Sequence, residues 1–402
     1  MYQNAAIIAV FAFVYACVAA RVERSTLSGP IVFAAGGFLL GPAVLGVLNL
    51  DIEAEQLRVL AEATLAIVLF TDAASADLAM IRRSAGLPTR LLLVGLPLTI
   101  VLGFLAGMAL LPGLGIVEIA LIAAILAPTD AALGKPVVIN PSVPEELRET
   151  LNLESGLNDG ICVPIVLLLL GFAVGTDTDG LDARTVLILV IEEIGIGLAV
   201  GVIVTAAASF ALRLAVRLGW LAPGWGGIAM IALAFACFAL AQVLGGSGFI
   251  ACFTGGLALN ALRHPHRHAL LRGAEATGDA FSLITWIVFG AGVLWQIAEW
   301  ITLPVIAYSI LSLTVVRMLP VLLSLLGTHV PVADRVFLGW FGPRGLASIV
   351  FGIMILDAGL PHIGTVEATI ACTIVLSVLA HGLSANPMVR GLSARWRVVA
   401  DG

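Results

Sequence analysis

The strongest constraint on this chain is a recurrence. Mainly apolar stretches of about twenty residues follow one another along the sequence, separated by short connections. A helix of that length crosses the hydrocarbon of a bilayer and satisfies its own backbone hydrogen bonds, which lipid cannot do. Thirteen such stretches lie near residues 4–20, 27–48, 56–79, 91–112, 116–139, 149–175, 185–211, 225–244, 248–262, 275–294, 301–326, 335–357 and 366–386. Only a few glycine-rich residues separate the eighth from the ninth, and the ninth is short.

Composition points the same way. The 402 residues are 60% hydrophobic and 11% charged, with a mean hydropathy of +1.10, whereas about a quarter of a soluble domain is charged. The expectation is an all-α polytopic membrane protein with about 13 transmembrane helices, a single membrane domain over 1–402 and no soluble domain. A cytosolic enzyme, a secreted disulfide domain and a nucleic-acid binder are excluded, and membrane lipid is the surrounding partner. The five cysteines (Cys17, Cys162, Cys237, Cys252 and Cys372) all lie in apolar stretches and read as packing residues. The first stretch lacks a basic leader, since Arg21 and Arg24 follow it, and it reads as a retained helix.

The net charge of −6 says less than where the charges sit. With the loops after odd-numbered stretches placed inside, those loops hold sixteen of the 20 lysines and arginines, against Arg58 and Arg184 outside. That asymmetry predicts an external N-terminus, a cytoplasmic C-terminus and an odd number of spans. His264, His266 and His268 share one inside loop and read as solvated surface.

Acids and arginines within spans are costly and therefore candidates for function. Asp72, Asp77, Glu118, Asp130, Glu154, Asp159, Glu192, Glu193, Glu275 and Asp279 are such acids, and Arg317 and Arg344 are the basic ones. Asp77, close to Arg82 and Arg83, reads as interfacial; Glu118, Glu192 and Glu275 lie near span ends and read as reaching water.

Two segments concentrate this chemistry. In the fifth span, Ala127-Pro128-Thr129-Asp130 puts a proline in mid-helix, where it removes a backbone donor and clashes with the preceding turn. The break leaves free carbonyls beside Thr129 and Asp130, and oxygen ligands with a negative charge suit a hard cation. In the sixth span, Leu153-Glu154-Ser155-Gly156-Leu157-Asn158-Asp159 sets Ser155 and Asp159 one turn apart on one face, with Asn158 on its flank. Glu154 lies about 140° away and addresses another neighbour. The twelfth span carries a second interruption, Gly342-Pro343-Arg344-Gly345. Its arginine needs an acidic partner; Glu154 is the candidate, with Arg317 competing for it.

Spans five and twelve, the broken ones, are an odd number apart, so the second copy is inverted relative to the first. Two inverted six-helix repeats (27–175 and 225–387) joined by the seventh helix would cross their broken helices near the midplane, where an ion site forms.

At these residues the chain resembles the monovalent cation:proton antiporter family, in particular the prokaryotic NhaP-type sodium/proton antiporters. The likeness rests on Gly37-Phe38-Leu39-Leu40-Gly41-Pro42, Leu69-Phe70-Thr71-Asp72, Pro128-Thr129-Asp130, Glu154 through Asp159, Gly246-Ser247-Gly248 and Gly342-Pro343-Arg344-Gly345. The resemblance implies a homodimer in a bacterial or archaeal cytoplasmic membrane, with a mobile core beside a dimer-forming scaffold. It implies that Asp159 is the central ion- and proton-binding carboxylate, with Thr129, Asp130, Ser155 and Asn158 lining or supporting the site. Na⁺ would be held at Asp159, Ser155 and Thr129. Asp72 stands where the relatives usually have glutamate, and Glu154 and Arg344 match a stabilising ion pair.

The chemistry can also be argued from the residues. A buried carboxylate holds a proton or a cation but not readily both, and crossing the barrier empty and charged is expensive. Competition for one site gives exchange with no cofactor, the cations being cargo. Asn158 stands where a second aspartate would add a titrating charge, so exchange of Na⁺ (or Li⁺) for H⁺ is expected to be electroneutral. K⁺/H⁺ exchange on the same fold is the alternative. An intramembrane protease using Ser247 and His381 leaves Asp130, Asp159 and both helix breaks unexplained, and the two midplane breaks favour alternating access over the continuous pore of a channel.

Overall fold

The computed structural model describes residues 2–23, 27–50, 54–76, 86–130, 133, 135–138, 140–177, 182–222, 224–262, 267–356 and 358–401. The expectations for Asp77, Arg82, Arg83, His264 and His266, and for the His268 side chain, lie outside the described residues.

Every regular element among the described residues is helical. In chain order, α1 is Tyr2–Glu23, α2 Gly29–Leu40, α3 Ala54–Ser75 and α4 Leu87–Leu110, which passes through a π-helical turn at Leu91–Gly95. Then follow α5 Ile116–Ile125, α6 Lys135–Val138, α7 Glu145–Asp177 and α8 Ala183–Arg217. Next are α9 Trp225–Val243, α10 Gly248–Ala261 and α11 Arg267–Val288, which continues as a π-helix through Phe289–Val293. The last are α12 Leu303–Leu313, α13 Val315–Ser324, α14 Val332–Trp340, α15 Leu346–Met354 and α16 Ile363–Asp401.

Among the described residues, eight helices are long and apolar enough to cross a membrane, and Gly29–Leu40, Ile116–Ile125 and Gly248–Ala261 are shorter apolar helices. The sequence pattern suggested about thirteen spans, with the fifth and twelfth broken. Those two are interrupted, at 126–130 and at 341–345, and the twelfth expected region is two short helices. The thin separation between the eighth and ninth stretches is real: Gly245 takes a positive φ of 78°, and the Ser247 hydroxyl caps α10 through Ile250 N. Unanticipated is a break at Thr314 (φ −106°, ψ −94°) between α12 and α13. Also unanticipated is the continuation of α16 past Pro387. There Trp396 packs edge-on to Phe337 and donates to Asp334 Oδ1 at 3.0 Å, so tertiary contacts outweigh the lost helical bond.

The helices pack in two sets. One holds α2, α3, α8, α9, α10 and α11, with α1 resting on α2; the other holds α4 to α7 and α12 to α16. Within the first set, Gly256 of α10 faces the Phe70 carbonyl so closely that a Cβ there would overlap it, which lets α3 and α10 approach. The two sets meet where α3 contacts α7 and α15, and where α8 contacts α7. Four of the five cysteines are buried, Cys17 is exposed, and all are free.

Candidate functional site

The two helix breaks lie against each other and run antiparallel. The Ser348 hydroxyl donates to Ile125 O (2.7 Å), Arg344 Nη1 to Ala127 O (2.6 Å) and Pro128 O (3.1 Å), and Asp130 N to Pro343 O (2.8 Å). The Asp130 side chain completes the crossing. Its Oδ2 accepts from Leu346 N at 2.9 Å, capping the N-terminus of α15, and it fills the space a Cβ at Gly345 would need.

These contacts are what the local sequence demands. Pro128 ends α5 and leaves carbonyls with no helical amide to meet them. The opposing break supplies a guanidinium at that level. Arg344 is fully buried, and its backbone N–H donates to Ser377 Oγ at 2.6 Å.

This geometry corrects the expected ion pair. Both carboxylate oxygens of Glu154 are taken by Arg317, with Nη1 to Oε1 at 2.6 Å and Nη2 to Oε2 at 2.8 Å. Both side chains are almost wholly buried, at 1% and 2% exposure. The physical reason is register. Arg317 projects from α13 and packs against Gly342, where any Cβ would collide with its guanidinium, and it reaches α7 in a bidentate pose. Arg344 sits inside the break and is drawn to the freed carbonyls.

The sixth expected span joins the first break from the side. The Ser155 hydroxyl donates to Thr129 O, and Asn158 Nδ2 donates to Thr129 Oγ1, both at 2.7 Å. Thr129, Ser155, Asn158 and Asp159 are all buried. Asp159 is 8% exposed, and its Oδ1 has no hydrogen-bond partner among the described residues; the same holds for Asn158 Oδ1. Asp72, Asp130, Ser155 and Asp159 share a cavity of about 180 Å³, together with Thr71, Ser75, Glu275, Asp279 and Leu346. Gly156 stands beside Asp72; a Cβ there would lie 3.6 Å from that of Asp72, so α3 and α7 come close at the site. Of the sequence candidates, then, Thr129, Asp130, Ser155, Asn158, Asp159 and Asp72 come together. Glu154 is held apart by Arg317.

Three other candidates have different surroundings. Glu118 is 4% exposed rather than solvated. It accepts from Gly115 N (2.7 Å) and His362 N (2.8 Å), and it meets His362 Nδ1 at 3.0 Å. His381 is bound to Ser377 and Trp340, each carbonyl lying 2.8 Å from a ring nitrogen, while Ser247 is a helix cap. Ser247 and His381 are thus accounted for by bonds to other groups and not to each other. Glu367, which lines a second cavity with Gln296, was missed in the sequence: a single acid near the start of an apolar stretch gives no periodic signal.

The transmembrane sodium/hydrogen exchanger family matches residues 8–391 of the chain. The chain belongs to that family. An exchanger-family protein is a multi-pass membrane transporter and not an enzyme, which disposes of the protease reading. The K(+)/H(+) antiporter NhaP2 of Shewanella sp. strain MR-4 is 28% identical over 271 residues, 67% of this chain and 46% of its own. The chain thus spans about half the length of that relative. A Na(+)/H(+) antiporter of Schizosaccharomyces pombe is 25% identical over 310 residues, 70% of this chain and 66% of its own. The structure of the sodium proton antiporter MjNhaP1 from Methanocaldococcus jannaschii overlays with a TM-score of 0.75 at 19% identity, covering 95% of this chain and 99% of that one. The likeness of fold thus extends over nearly the whole chain.

Proposed function

We propose that this chain exchanges a monovalent cation for H⁺ by letting the two compete for Asp159. The observation that carries this reading is the buried, unpartnered Asp159 Oδ1 beside a cavity at the crossing of two broken helices. An ionised carboxylate without partners is unfavourable in an apolar surround and is relieved equally by a proton or by a cation. Ser155 shares the Asp159 cavity, Thr129 is bonded to Ser155 and Asn158, and the Asn158 carbonyl oxygen is itself unpartnered among the described residues; hard oxygen donors of this kind suit Na⁺ or Li⁺. Asp130 and Asp72 line the same cavity, and there they assist entry and hold water around the ion. Glu154 with Arg317, and Arg344 at the break, keep the frame in place.

One contested carboxylate moves one cation against one proton, so exchange is electroneutral. Lowering the pH raises the apparent KM for the cation, because protons occupy the same group. The names of the relatives favour a second reading on the same site, K⁺/H⁺ exchange. In either case the protein is a homodimer in a prokaryotic cytoplasmic membrane, built of two inverted repeats, with its N-terminus outside and the cavity open to the cytoplasm. The cavity lies at the C-terminal end of α3 and the N-terminal parts of α7 and α11, and the arginines in the adjoining loops support an inside position for these ends.

The test is purified protein in liposomes with an acidic lumen. Addition of Na⁺, Li⁺ or K⁺ outside should collapse the pH gradient. Clamping the voltage with potassium and valinomycin should leave the Na⁺ and Li⁺ runs unchanged. Collapse with K⁺ alone, measured without valinomycin, would replace the cation and keep the mechanism; no collapse with any cation would remove the reading.

A further inference from the structure

Glu367 is an embedded acid outside the ion site. It lies early in α16, half-buried, with no hydrogen-bond or ion-pair partner among the described residues. Acids so placed are rarely kept without use. It lines a cavity of about 130 Å³ whose walls are otherwise apolar except for Gln296.

That cavity and the ion cavity share three helices and sit at opposite ends of them. Helix α3 gives Val68, Asp72 and Ser75 to the ion cavity and Leu57 to the other. Helix α11 gives Glu275, Asp279 and Ser282 to the first, while Val288, Phe289 and Val293 of α11 and its π-helical continuation line the second. Helix α15 touches the ion cavity with Leu346 and the other with Ile349 and Ile353. On α11 the gap from Ser282 to Val288 is about 9 Å of helix. Buried Thr64 and Thr285 fill it, their hydroxyls 3.2 Å apart between α3 and α11, beside buried Trp286. A thin seal therefore separates two cavities set end to end, one ending at Asp159 and the other holding Glu367.

We propose that Glu367 is a transient cation subsite on the far side of this seal, the carboxylate a cation meets before reaching Asp159 from that face or after leaving it. The Glu367 carboxylate and the Gln296 amide oxygen are hard donors in an otherwise apolar chamber, the ligand class a dehydrating monovalent cation requires. This rests on the antiport reading, and the test separates the two. Exchange is measured in right-side-out and everted membrane vesicles, with the cation added outside each.

Glu367→Gln should raise the apparent cation KM about tenfold from one face and less than about twofold from the other. Adding Gln296→Glu to Glu367→Gln returns a carboxylate to the chamber and should recover most of the loss. Glu367→Asp, which keeps the charge, should give an intermediate one-sided shift, and it serves as the test if Glu367→Gln does not fold. An unchanged KM from both faces, or an equal rise from both, would overturn the proposal and leave antiport standing. Absence of exchange in the wild-type vesicles would instead overturn antiport, and the subsite with it.

Discussion

The two helix breaks are alike in outline and opposite in chemistry. The first, 126–130, leaves its functional groups facing a cavity: Thr129 is held by Ser155 and Asn158, and Asp130 lines open space beside Asp159. The second, 341–345, turns its groups onto its neighbours. Arg344 Nη1 is held by two carbonyls of the first break and its backbone N–H by Ser377, and the Trp340 carbonyl meets His381. The difference divides the labour. One break presents oxygen atoms; the other supplies positive charge and donors that keep those atoms from collapsing into helix. A buried arginine opposite freed carbonyls does by charge what a continued helix would do by amides.

That division can be broken in order of expected effect. Asp159→Ala should abolish cation-driven collapse of the pH gradient while leaving yield and elution in detergent unchanged; undiminished exchange would remove the contested carboxylate from the scheme. Next is Arg317→Ala, which strands a buried Glu154 carboxylate and should cost about 3–5 kcal/mol of stability. Arg344→Ala should cost less in melting temperature, since it strands carbonyls rather than a carboxylate. A larger loss for Arg344 than for Arg317 would restore the pairing expected from the sequence. Thr129→Ala comes third: it removes the acceptor of Asn158 and should raise the apparent cation KM about tenfold with little change in melting, while Thr129→Ser should behave as wild type. The smallest effect is expected on the support side. Ser377→Ala should lower stability by about 1–3 kcal/mol through an unsatisfied buried donor, with the cation KM nearly unchanged. A KM change matching that of Thr129→Ala would erase the distinction between the breaks.

The helices, their order and both interruptions were legible because hydropathy and mid-helix Pro128 and Pro343 are local signals. The ligand cluster was legible for a related reason: Ser155 and Asp159 lie one turn apart, and polar groups in an apolar stretch have little other use. Pairing across helices was not legible. Whether Arg317 or Arg344 reaches Glu154 depends on how α13 and the second break register against α7, and nothing in the one-dimensional pattern fixes that. Glu118 looked like a span-end acid because its partner, His362, is far along the chain and bonds it through both backbone and ring. The bend at Thr314 has no proline or glycine to announce it.

Competition between proton and cation at Asp159 is most directly tested by proton release. Purified protein in weakly buffered detergent is titrated with Na⁺, Li⁺ or K⁺ across a range of pH, and the protons set free are counted against the cation bound. The account predicts release approaching about one proton per cation at the pH where Asp159 is still protonated before cation is added, with none in Asp159→Ala. Cation binding without proton release, or release undiminished in that variant, would contradict it.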